Sequence, residues 1–193
     1  MDAGWQHHDK YKYNGGTMRL EELRLNCAVK QKRGLHIILA SVIIWAAILC
    51  VHLSPLPILT KNLWTFICSA PLLPISYAIS KIIRVNFQNR ENPLTNLGIL
   101  FSVNQIAYLL IAMWIFAAVP EKMLMVLAII FGAHLMPYGW LYKSKVYYAL
   151  SGLIPVCALF VGLRYEPSIL AGMMLAFEVL FCVGLVLENK KLR

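Results

Sequence analysis

Glu178 is the first residue to account for, because no other Asp, Glu, Lys or Arg occurs between 167 and 187. An ionisable group in an apolar run is costly to keep, so it needs either a partner or a task. Two other apolar runs carry one comparable feature each: His134, and the adjacent amides Asn104 and Gln105. Tyr138 follows His134 by four residues and Tyr108 follows Asn104 by four, so each pair shares a helix face. Counting 1.5 Å per residue from the basic end of each run puts Asn104, His134 and Glu178 at roughly 10, 12 and 14 Å, one layer. A carboxyl group in such a layer can accept a proton or a cation, with His134, Asn104, Gln105, Tyr108 and Tyr138 shaping the site around it. The plainer reading is that these groups join helices by hydrogen bonds, each averaging below about 1 kcal/mol in a membrane.

Prolines form a second pattern. Pro71 and Pro74 stand three apart in the middle of one apolar run, and each removes a helical hydrogen bond, so this helix must kink or unwind. Pro155 is central in a later run, and Pro137 adjoins Tyr138 and Gly139. If the chain is two inverted sets of three helices, the Pro71/Pro74 and Pro155 helices occupy matching places, as paired helix breaks do around transporter sites. The two halves share no residue-level similarity.

Enzyme signatures are missing. There is no His-Glu-x-x-His, Gly-x-Ser-x-Gly, phosphate-binding Gly-x-x-x-x-Gly-Lys or dinucleotide-binding Gly-x-Gly-x-x-Gly. Cys27, Cys50, Cys68, Cys157 and Cys182 form no CxxC pair, and an odd count of scattered cysteines argues against a disulfide scaffold. One His with one Glu lacks the third ligand a metal site needs, so neither a metal nor another cofactor is expected.

The elements that must position these residues follow from composition. Of the 193 residues, 60% are hydrophobic and 14% charged, against the usual 45–50% and about 25% of soluble domains. Too few charges remain to coat a soluble globule, and too many Leu, Ile, Phe and Trp are present for a disordered chain. Six stretches, 35–53, 63–80, 97–119, 123–142, 146–163 and 169–187, are each long enough to cross a bilayer as a helix. The ten-residue alternation of a β-barrel is missing. The expected fold is therefore all-α, an integral membrane bundle of six transmembrane helices. Fifteen Lys and Arg fall in the N-terminal segment, second loop, fourth loop and tail, whereas three fall in the other loops. That asymmetry places both termini in the cytoplasm. It also explains the net charge of +9 as topology plus attraction to anionic headgroups, with no nucleic-acid partner. Residues 1–17 read as a disordered leader or non-native extension, in which the adjacent His7 and His8 make a poor metal site. Residues 18–33 read as an amphipathic interfacial helix with Leu20, Leu23 and Cys27 on one face, and 34–193 as the transmembrane domain.

Several motifs are familiar together: Glu21-Glu22-Leu23-Arg24, Lys32-Arg33-Gly34, the proline run at 70–76, NRENPL at 89–94, Asn104-Gln105, VPEKM at 119–123 and FGAHLMPYGWLYKSK at 131–145. From Met18 onward the sequence resembles an uncharacterised family of small bacterial polytopic membrane proteins. The resemblance implies a bacterial cytoplasmic-membrane setting and transfers no activity.

Three functions are compatible with these features. The first is a small-solute or ion transporter or channel, with proton coupling as one form, its site lying in the cytoplasmic half of the bilayer. The second is an intramembrane enzyme acting on a lipid or isoprenoid, with Glu178 and His134 as acid and base. The third is a non-catalytic membrane subunit or sensor. Small residues at Ala128/Gly132 and Gly172/Ala176 leave room for a homo-oligomer.

Overall fold

The computed structural model describes residues 10–13, 16–87, 89 and 91–191. One short antiparallel hairpin pairs Lys10–Tyr13 (β1) with Gly16–Arg19 (β2), setting Lys10 opposite Arg19 and Tyr13 opposite Gly16. The rest of the expected leader, with His7 and His8, lies outside the described residues. Beyond the hairpin the described chain is all-α.

Helix α1 is Leu20–Lys30. It starts where the Glu22 carboxylate accepts the Arg19 backbone N–H at 3.0 Å, and Glu21 and Glu22 suit the positive end of the helix dipole. Leu23, Cys27 and Ala28 are its buried face. The chain then reverses through Lys32, Arg33 and Gly34, all with positive φ. Gly34 is required here twice over: its φ is +71°, and a Cβ would lie 3.0 Å from the Tyr147 hydroxyl and 3.2 Å from the Tyr142 ring.

Seven helices follow: α2 (Leu35–Leu53), α3 (Ile58–Ser69), α4 (Leu72–Ile82), α5 (Leu94–Ala118), α6 (Met123–Leu141), α7 (Lys145–Arg164) and α8 (Pro167–Lys190). Among the described residues, α2, α5, α6, α7 and α8 are long and apolar enough to cross a membrane, and α3 with α4 makes a sixth crossing if the pair forms one broken span. The stretch expected as one helix over 63–80 begins earlier, at Ile58, and bends by 41° between α3 and α4. Pro71 stands at the break. Pro74 falls in the first turn of α4, where its missing N–H leaves no intrahelical bond unmade.

Pro137 and Pro155 do not break their helices; α6 and α7 run through them. Pro155 is accommodated by a neighbour without a side chain, since a Cβ on Gly132 would lie 2.7 Å from both the Pro155 ring and Ile154. The matching interruption expected in the second half is therefore missing from α7.

Helix α2 packs against α8, α4 and α3, while α6 packs against α7 and α5, and α7 against α8. Ile44, Trp45, Ile48, Leu135, Ile154 and Met174 fill the shared core. Helix α5 is peripheral, with only Thr95 and Ala112 buried along it. Both α4 and α6 stop in the same way. The N–H of Val85 bonds to Ser80 O and that of Arg84 to Lys81 O, and Ser144 and Lys143 repeat the pattern on Gly139 and Trp140. Arg84 and Lys143 hold the left-handed position where glycine is commonest. Their cationic side chains suit the negative end of a helix.

Candidate functional site

Glu178 lies at the middle of α8, eleven residues from Pro167 and twelve from Lys190. Its side chain is fully buried, and neither carboxyl oxygen has a hydrogen-bond partner among the described residues. Ser41 of α2 lies close enough to influence the carboxyl group, but the geometry falls short of a hydrogen bond. Tyr147 and Cys182 are its other titratable neighbours. A buried polar group without a partner forfeits its hydration and receives nothing in exchange, so this carboxyl group opposes folding where it stands.

The other expected site residues lie elsewhere. His134 sits in α6, where its Nδ1 donates to Phe131 O of its own helix at 2.7 Å and its ring meets Phe131 and Tyr138 edge-on. Tyr138 is buried and donates to Gly98 O at 3.0 Å, with the Ser102 hydroxyl 2.6 Å from its own. Asn104 and Tyr108 stand on the outward side of α5, where the Asn104 amide donates to the Tyr108 hydroxyl at 3.1 Å. Gln105, beside them, is half-buried. His134 and Tyr138 are thus brought together, and so are Asn104 and Tyr108. No hydrogen bond joins either pair to Glu178 among the described residues. The common layer is also looser than the apolar runs suggest. Measured from Leu94, Leu141 and Lys190, the three residues lie ten, seven and twelve positions inside their helices.

A polar clamp at the basic end of the bundle was not foreseen. Arg33 is buried and donates to Tyr142 O at 3.2 Å and to Asn189 Oδ1 at 3.3 Å, with Glu188 at 3.5 Å. Glu188 accepts the Ser144 hydroxyl at 2.6 Å and the backbone N–H groups of Lys145 and Val146, capping α7 from another helix. Tyr147 donates to Arg33 O, Asn189 to Lys32 O, and Tyr142 to Gln31 Oε1. Close by, Arg24 donates twice to Trp140 O and lies over the Trp140 ring at 4.5 Å. With every member partnered, this network fastens α1, the α6–α7 turn and the end of α8 together. Only the Lys32-Arg33-Gly34 triplet hinted at it. Among the described residues no three His, Cys, Asp or Glu side chains gather closely enough to hold a metal ion.

Residues 20–188 match a family described as "Family of unknown function (DUF7010)". The chain belongs to this family. The DUF7010 match begins at the first residue of α1 and includes Glu178, His134, Asn104 and every residue of the clamp except Asn189. No curated protein and no solved structure matches the chain. An unknown-function family with several apolar helices is consistent with a multi-pass membrane protein.

Proposed function

We propose that this chain crosses the bacterial cytoplasmic membrane six times, with both termini on the cytoplasmic side. It serves there as a small transporter that moves a proton or small cation, alone or with a solute, by way of Glu178. The observation that carries this reading is the fully buried carboxyl group with two unpartnered oxygens at the centre of α8. A carboxyl group whose partner arrives and leaves must lack a permanent one, and Glu178 meets that requirement. The bent α3–α4 pair adds support, because the missing N–H of Pro71 at the break withholds a helical donor from the carbonyl of Ile67. Such carbonyls are suited to cation or solute coordination in transporters. The fifteen-to-three distribution of Lys and Arg supports the orientation.

The test uses purified protein in liposomes loaded with a pH-sensitive dye, with a potassium diffusion potential imposed by valinomycin. Wild type is expected to pass protons faster than empty liposomes, and Glu178→Gln to lose that excess. Equal proton flux in wild type and Glu178→Gln would overturn the role of Glu178. No flux above empty liposomes, with sodium or potassium gradients also tried, would overturn the transport reading.

A further inference from the structure

A pocket of about 320 Å³ opens at the end of α4, lined by Tyr77, Ser80, Lys81, Val85, Asn86 and Phe87. We propose that it binds the phosphate group of an anionic phospholipid. The volume is within the range of sites that hold small ligands. None of its lining residues is acidic, and no carboxylate pairs with Lys81 among the described residues. The Lys81 ammonium instead lies 5.1 Å over the Tyr77 ring, which orients it without neutralising it.

The pocket is built before any ligand arrives. Val85 N–H bonds to Ser80 O, Asn86 N–H to Lys30 O, and the Lys32 ammonium to Ile83 O at 2.7 Å. The first closes the 83–87 loop onto the end of α4, and the other two fix it against α1 and the turn after it. Phe87 in the pocket wall meets Tyr77 on one side at 5.5 Å and His36 on the other at 5.4 Å. His36 is buried, and its Nδ1 has no hydrogen-bond partner among the described residues.

The flanking surface favours a lipid as the source of the phosphate. Ile82 and Tyr77 are exposed beside the pocket, an apolar and aromatic flank against which acyl chains can lie while Lys81 and the Asn86 amide meet the headgroup. Basic pockets between membrane helices commonly hold anionic headgroups. This inference needs only that the helices span a bilayer and is independent of Glu178.

The experiment is native mass spectrometry of the purified full chain with short-chain phosphatidylglycerol, short-chain phosphatidylcholine or inorganic phosphate. The expected result is retention of phosphatidylglycerol over phosphatidylcholine, weakened about tenfold by Lys81→Ala, largely restored by Lys81→Arg, and unchanged by Lys190→Ala outside the pocket. Asn86→Ala, an exposed loop change, is expected to weaken retention too, and serves if Lys81→Ala fails to fold. Equal weakening by Lys81→Ala and Lys190→Ala would overturn the site in favour of diffuse charge attraction. Retention of inorganic phosphate in place of the lipid would overturn the lipid as its source.

Discussion

Two carboxylates of α8, only ten residues apart, illustrate opposite uses of one functional group. Glu188 accepts three hydrogen bonds and faces Arg33, whereas Glu178 accepts none among the described residues. Removing Glu188 orphans three donors and leaves a buried guanidinium short of its counter-charge. Glu188→Ala is therefore expected to cost about 2–3 kcal/mol, read from the unfolding midpoint in detergent. Glu21 gives a pH dependence of known sign. The Lys143 ammonium that hydrogen-bonds it, helped by Arg24, holds its carboxyl below the ordinary value of 4.5. The lower folded value favours the folded state above pH 4.5, and that contribution disappears as pH falls through the folded value. The protection factors for hydrogen exchange over 20–30, taken against the intrinsic rate at each pH, are expected to fall on acidification below that point, and Glu21→Gln to remove most of the change. Glu178 was legible as the sole acid of its stretch. The outward placement of Asn104 was not, because α5 is apolar all round and no stripe marks its inner side.

At the scale of elements, α2 coincides with the apolar run 35–53 and α7 exceeds the run 146–163 by one residue on each side, whereas the run 63–80 is divided between α3 and α4, which begin at Ile58 and end at Ile82. Hydrocarbon length and the positions of charges fix the ends of α2 and α7, so sequence suffices there. How the helices approach one another depends instead on single small residues. A Cβ on Gly132 would strike the rigid Pro155 ring and Ile154, whereas nothing lies within 4 Å of one on Gly152. Gly132→Ala is expected to destabilise by about 1–3 kcal/mol through overpacking. Gly152→Ala is expected to be neutral or to stabilise by up to about 1 kcal/mol through helix propensity. Similar losses from the two substitutions would show that the α6–α7 contact does not depend on this close approach. The same contact gives the Pro155 ring its room against α6, something the proline's position alone could not reveal.

For the whole molecule, the proposed orientation predicts labelling by a membrane-impermeant maleimide. In a cysteine-free background and intact cells stripped of their outer layers, Arg164→Cys is expected to react from outside and Lys145→Cys only after permeabilisation. The reverse pattern would invert the topology. Composition made the all-α, membrane character legible because a chain this apolar has few other solutions. The clamp that ties Arg33 to Asn189 across 156 positions was not legible, since contacts so distant in sequence leave no spacing to read. Glu178 remains the centre of the account, proposed as a group held for exchange and not for strength. The most direct measurement is the unfolding free energy of Glu178→Gln against wild type in mild detergent. Glutamine keeps the shape and removes the exchangeable proton, so the account predicts stability within about 1 kcal/mol of wild type, or higher. A loss of about 3 kcal/mol or more would contradict it, marking Glu178 as a structural partner in the bundle.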